Sequence, residues 1–251
     1  MVTTLNATQL TTLAIKRHLE YLEIQSNASN PTYQVDINSG IAGADDGSRL
    51  MEVSSPITVD ITASGANGLD TGSEAANTWY YIYLIFNPTT GTTAGLFSTS
   101  SSSPTMPSGY TKKRLVGAVR NDGSSDFYSF KQINNDYSYL LRKLVLSNGT
   151  STSYASVDFS NYVPPIADFG SVNLIDIPQS NIGGRGNVLF STDGTNLWTA
   201  MSSHYTASYI ADSAMQFSAP IFTVSPIRFY YSVEFSGQSC YIGVNGFCLN
   251  L

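Results

Sequence analysis

Residues 70–73 read Asp70-Thr71-Gly72-Ser73, the tetrapeptide on which an aspartic protease mounts one of its two catalytic acids. That chemistry needs two carboxylates about 3 Å apart sharing one proton, so that one serves as base and the other as acid. A chain carrying one copy meets this need only by dimerising. Leu115-Val116-Gly117 imitates the apolar-apolar-glycine element that follows the catalytic loop in such dimers. The flank argues otherwise. "TASGANGL" precedes Asp70, a glycine-rich loop where an apolar strand should hold the acid rigid. Asp70 is therefore expected in a turn, its carboxylate accepting backbone hydrogen bonds.

The other reactive residues are scattered. Of the two histidines, His18 falls within an expected helix and His204 within "MSSHYTAS", where adjacent Ser202 and Ser203 cannot form a relay. Asp45-Asp46, in "GADDGSR", lacks the alternating oxygen ligands of a calcium loop and reads as a solvated turn. "IGGRGN" around Arg185 is too short to cradle a phosphate. A carboxylate pair for glycoside cleavage is not singled out by any spacing. The expectation is no catalytic residue, no metal and no cofactor. Cys240 and Cys248 are read as free, buried thiols.

Charged residues make up 12% of the 251, about half the usual share of roughly 25%. Serine, threonine, asparagine and tyrosine must cover the surface instead, which suits a subunit packed against copies of itself or a binder of neutral sugars. Net charge is −6, and no basic run exceeds Lys112-Lys113-Arg114, so a phosphate-neutralising face for nucleic acid is not expected. The start lacks the charged-then-apolar order of a secretory signal, and no apolar run reaches the roughly 18 residues of a membrane helix. The sequons at Asn6, Asn27 and Asn148 then carry little weight.

Only "NATQLTTLAIKRHLEYLEIQ" reads as a helix, of about 19 residues and about 28 Å, with Asn6 capping it and Gln9 reaching back. Leu10, Leu13, Ala14, Leu22 and Ile24, with Ile15, Leu19 and Tyr21, form its apolar stripe, broader than one neighbour covers. It packs on its own domain or bundles with copies of itself. After Pro31 the period becomes two, in "TYQVDIN" and "PITVDITA". "TWYYIYLIFN" lacks alternation and is expected as a strand covered on both faces, returning through Asn87–Gly91 into "TTAGLFST". "KKRLVGAVRN" turns at Asn121-Asp122-Gly123 into "DFYSFKQI". "NNDYSYLLRKLVLSNGT" is a linking strand or a short helix, and "YVPPIADFGSVNLIDIPQSNIGGRGN" long loops with one short strand. "VLFSTDGTNLWTA" is a hairpin, and "RFYYSVEFSGQSCYIGV" turns at Ser236-Gly237. The expected fold is mainly β: an N-terminal helix (1–30) followed by two β-sandwich or jelly-roll-like domains (31–135 and 136–251).

The pieces "GLDTGSEAANTWYYIYLI", "NPTTG" and "STSSSSPTMPSGYTKKRLVGAVRNDGS", in that order within about 57–132, resemble a module of tailed-bacteriophage virion proteins of the tail-fibre or head-fibre type. That resemblance implies an assembled, commonly homotrimeric virion part, made in the host cytoplasm, with no catalytic residues to carry over. The expected partners are copies of itself, other virion proteins and a host-surface glycan or protein. Exposed candidates for stacking on sugar rings are Tyr110, Trp198, His204, Tyr205 and Tyr209, each of which also suits core packing. A capsid-decorating role is the alternative, and a glycan-degrading tailspike or aspartic protease a more remote one.

Overall fold

The computed structural model describes residues 7–176, 185–191, 193–196, 199–206, 209–210, 213–220, 227–249 and 251; for 168–176, 185–186, 199–206, 209–210 and 213–220 it describes the backbone. The chain divides into two compact units, 1–137 joined by Leu251, and 138–250. It is mainly β, with one N-terminal helix and several antiparallel sheets in a sandwich-type fold.

The first unit opens with α1 (Ala7–Arg17), then β1 (Leu19–Glu20), β2 (Glu23–Ser26), β3 (Gln34–Ile37), β4 (Gly40–Gly43), β5 (Leu50–Val53) and β6 (Ile57–Asp60). β7 (Trp79–Asn87), β8 (Thr92–Ser98), β9 (Lys112–Arg120) and β10 (Phe130–Ile133) complete it. The helix is shorter than its sequence pattern suggests. It ends at Arg17 because Leu19 and Glu20 pair with Ala42 and Ile41 of β4. Tyr21 then adopts a left-handed φ of 55° and turns the chain into β2. Leu22 and Ile24, expected on the helical stripe, lie outside it and are buried in the sheet core. "LEIQ" is a period-two pattern that a helical reading also fits, and tertiary pairing decides for the strand.

Two sheets, β10-β2-β3-β6 and β8-β7-β9, face each other. Gln132, Ile24, Ile37 and Ile57 form one inward row across the first sheet, while Lys131, Gln25, Asp36 and Thr58 form the neighbouring outward row. In the second sheet β7 is central and buried from Tyr80 to Phe86. Two of its buried tyrosines, Tyr80 and Tyr83, find partners for their hydroxyls. The Ala75 amide donates to Tyr80 Oη at 2.7 Å, and Tyr83 Oη donates to the Ser100 carbonyl at 2.9 Å. Burial, with the nearby Asp45, pushes the Tyr83 phenol well above its usual range.

The sheets are stitched by one polar side chain. Ile82 pairs with Gly117 and Tyr83 with Leu115, so Val116 is the extra residue of a β-bulge whose carbonyl leaves the ladder. Gln132 Nε2 reaches across the core and donates to that carbonyl at 2.7 Å and to the Asn134 carbonyl at 2.6 Å. Gly117 makes room for it, since a Cβ there would stand 2.9 Å from Gln132 Oε1.

In the second unit, which begins within β11 (Asp136–Gly149), follow β12 (Ala155–Asp158), β13 (Ala167–Asp176), β14 (Arg185–Ser191) and β15 (Thr199–Thr206). Then come β16 (Tyr209–Ile210), β17 (Ser213–Pro220), β18 (Arg228–Val233) and β19 (Cys240–Leu249). Here the linking segment is a strand. "ADFGSVNLID", expected mostly as loop, is ten residues of β13 paired on both sides, with β17 and β19. The orders are β17-β13-β19-β11 and β12-β18-β14-β15-β16, so the turn after β18 carries the chain from one sheet into another. Gln238 Oε1 braces that turn by accepting the Glu234 and Phe235 amides, and Gly237 supplies a φ of 90°. Cys240 and Cys248 share no disulfide: they stand at opposite ends of β19, about 27 Å apart at the usual rise. Cys240 is buried as expected, whereas Cys248 is partly exposed.

The stitch yields a measurable expectation. Gln132→Leu leaves the Val116 carbonyl buried without a donor and should cost about 1–3 kcal/mol in urea denaturation. Gly117→Ala should cost a similar amount, about 1–3 kcal/mol, through overpacking against Gln132.

Candidate functional site

The Asp-Thr-Gly segment is built as the protective edge of a sheet. Asn67 N donates to Gly95 O, Phe97 N to Gly68 O, and Asp70 N to Phe97 O, so residues 67–70 cover the outer edge of β8. Gly72 continues the turn with φ 80°. Asp70 Oδ2 accepts the Thr105 amide at 2.8 Å and so fastens the Ser/Pro-rich loop to this edge. The carboxylate clasps two loops. It is partnered by an amide, not by a second acid, and no group of three or more metal-ligating side chains occurs among the described residues. Glu74, further along the same loop, accepts from Asn121 Nδ2 at 3.3 Å. Its carboxyl is raised above the usual range by burial, partly offset by Asn121 and reinforced by Asp126 and Asp60.

Asp45 and Asp46 form a turn that pairs with Lys113 and Lys112, at 2.6 and 2.7 Å. Burial alone would raise the Asp46 carboxyl, but Lys112 and the Ser48 hydroxyl and amide prevail and hold it at about 2. His18 Nε2 lies 3.2 Å from Glu20 Oε2.

Among the described residues of the first unit, α1 presents an uncovered apolar face. Leu10 is 53% exposed and Leu13 36%, Ala14 is exposed as well, and no residue of α1 is buried. Its C-terminus, by contrast, is anchored. The Arg114 guanidinium, buried on β9, donates to the Lys16 carbonyl, the end of the helix where unsatisfied carbonyls gather. Gly43 lets the Ile15 carbonyl lie directly on β4, where any Cβ would collide with it. The helix is thus pinned at its last turn with Leu10 and Leu13 presented outward. Of the expected stripe, Leu10, Leu13 and Ala14 share this surface; Leu22 and Ile24 do not.

Among the aromatic candidates, Tyr110 is half-buried, its amide donating to the Pro107 carbonyl. Trp198 lies outside the described residues. His204, Tyr205 and Tyr209 are placed by their backbone alone, His204 opposite Arg185, Tyr205 opposite Ile210, and Tyr209 opposite Thr206. Sequence reasoning passed over an apolar surface on β11, where Leu140, Leu141 and Leu144 are exposed, the second by 73%. The signal was present in "YLLRKL", whose adjacent leucines break the alternation a one-sided strand needs. Tyr21, expected on the helical stripe, lies beyond the end of α1 and is 78% exposed. Comparison with protein-family models and with curated proteins finds no match. No helix among the described residues is long and apolar enough to cross a membrane.

Two outcomes follow. Asp70→Ala should cost about 1–2 kcal/mol by urea denaturation through loss of the Thr105 bond, and Asp70→Asn, which keeps an acceptor, less than half of that. The second concerns acid. The Asp46 carboxyl is depressed to about 2, and hydrogen bonds from Thr62 and Gln34 depress that of Asp60 against an opposing burial effect. The Asn196 amide and side chain, with Thr195 and Ser191, depress that of Asp193. Their stabilisation is present above the unfolded carboxyl pKa of about 4 and lost as pH falls through the folded values. Urea midpoints should therefore fall steeply from about pH 4 towards about pH 2. Glu74 has the opposite sign: its ionised form is disfavoured in the fold, so Glu74→Gln should raise the neutral-pH unfolding free energy by about a few tenths of a kcal/mol.

Proposed function

We propose that this chain is a non-enzymatic structural subunit of a tailed-bacteriophage virion, a homotrimer of the tail fibre or receptor-binding apparatus, assembled in the host cytoplasm. One observation carries the reading: a helix held rigidly at its C-terminal turn while its leucines face outward. An 11-residue helix is too short to be stable by itself in water, and its own unit leaves Leu10, Leu13 and Ala14 uncovered. Copies packing these faces around a closed axis remove that exposure symmetrically. The scarcity of charge agrees, because hydroxyl- and amide-rich surfaces can be brought together without stripping water from ions. The motif most suggestive of an enzyme is committed to loop fastening, which supports a non-enzymatic role. Attachment to a host glycan falls to the second unit in this reading, with Tyr205 and Tyr209 on its strands as stacking candidates.

Sedimentation equilibrium of the purified chain should return three times the chain mass, and Leu10→Asp combined with Leu13→Asp should lower it to that of one chain. Since both side chains are exposed, the urea midpoint of the separated chain should be little changed. A wild-type chain that stays single at high concentration overturns the proposal. Antibody labelling of intact particles then separates positions: label at the tail supports the fibre, and label on the head supports capsid decoration.

A further inference from the structure

Three Asn-Gly pairs occur in the chain, at Asn67-Gly68, Asn148-Gly149 and Asn245-Gly246. They share a reactive sequence, yet the fold treats them differently. Asn67 is tied at both reacting groups: its Oδ1 accepts the Gly95 amide at 2.9 Å, and the Gly68 amide donates to the Gly65 carbonyl at 2.9 Å. Asn245 is half-buried, the extra residue of a bulge in β19, a strand held between β13 and β11, with Val244 opposite Val172 and Gly246 opposite Ser171. Asn148 is the next-to-last residue of β11 and has an exposed side chain that hydrogen-bonds to no described residue.

The pair at 148–149 is also imposed by the structure. Asn148 sits at φ 55°, a left-handed conformation that asparagine tolerates better than most residues. Gly149 is buried beneath Tyr231, and a Cβ there would stand 2.7 Å from the ring Cζ and from Oη. Tyr231 also braces the turn beyond, as the Ser151 amide points to its Oη at 3.5 Å and the Val233 amide donates to the Ser151 carbonyl at 2.7 Å. Conformation selects the asparagine and packing selects the glycine.

We propose that Asn148 is a self-modifying site, losing its side-chain amide to become aspartate and isoaspartate in the folded protein well before the other two pairs react. The main-chain nitrogen of Gly149, giving up its proton, attacks Cγ of Asn148 and forms a C–N bond that closes a five-membered succinimide. The Cγ–Nδ2 bond breaks, and Nδ2 departs with the added proton as ammonia. Water then opens the ring at either carbonyl. One product keeps the main chain and gains a carboxylate; the other inserts one extra carbon into it, which displaces Gly149 from beneath Tyr231. The modification places a new negative charge at the end of the strand that carries Leu140, Leu141 and Leu144. It is independent of the assembly proposed above, because it needs only the folded chain.

The test is peptide mapping of the whole protein after incubation in warm, mildly alkaline buffer, with isoaspartate quantified by enzymatic methyl transfer. The folded chain should convert Asn148 about tenfold or more faster than Asn67, whose two hydrogen bonds must first open. The chain held in denaturant should convert all three pairs at similar rates. Asn148→Gly, which accepts the same φ and has no amide to lose, should abolish the early ammonia release without lowering the urea midpoint. Conversion of Asn67 or Asn245 ahead of Asn148 overturns the proposal. So does equal conversion of all three in the folded chain, or survival of Asn148 while the denatured chain reacts to completion.

Discussion

A carbonyl that has left its sheet must find a donor, and in the first unit the way it does so sets the geometry around it. The bulge at Val116 turns a carbonyl into the core, where an unmet acceptor would cost about 1–3 kcal/mol. Gln132 meets it from the opposite sheet, in a row otherwise made of isoleucines, and Gly117 must stay bare beneath it. Apolar packing alone would allow the two sheets to slide by a residue or to twist against each other. A directed hydrogen bond between a named bulge and a named strand position does not. The same β9 that carries the bulge also carries Arg114, whose guanidinium fixes the end of α1, and Lys112 and Lys113, which hold the Asp45-Asp46 turn.

That chain of constraints explains why the helix can be both firmly placed and unfinished. Its last turn is fastened by the close approach of the β4 main chain and by the Arg114 guanidinium of β9, while its leucines face away from the unit. A helix that merely lacked a good core contact would be free at both ends. Rigid presentation of an apolar face is what self-assembly requires, because the cost of ordering has been met before the partner arrives. The polar loops follow the same economy. Asp70 spends its carboxylate fastening one loop to the edge of β8, which blunts an edge that could otherwise recruit a stray strand.

Much of this was legible in the residues. The unbroken apolar run at 79–86 predicts a strand covered on both faces, and the structure has one; the Asn87–Gly91 return and the 193–194 hairpin follow from turn chemistry. The helix end was not legible, because Leu19, Leu22 and Ile24 satisfy a helical stripe and a strand alternation alike, and only pairing with β3, β4 and β10 separates the two. β13 was hidden by the Pro- and Gly-rich sequence on either side of it. The role of Asp70 was legible as a turn but its partner was not, since Thr105 lies far along the chain and meets it only through the fold. Gln132 carries no signal at all in sequence: a lone glutamine in "FKQI" reads as surface. The candidate site follows the same division, with Leu10 and Leu13 visible as apolar positions and their outward presentation set by Arg114, a residue that sequence reasoning assigned only to a short basic run.

The account turns on whether copies of the chain cover the leucine face of α1. Hydrogen exchange of residues 7–17, followed across a range of protein concentrations, reads this directly. Protection of these amides should rise with concentration while that of β7 stays high and constant. Amides of α1 that exchange equally fast at every concentration would contradict it.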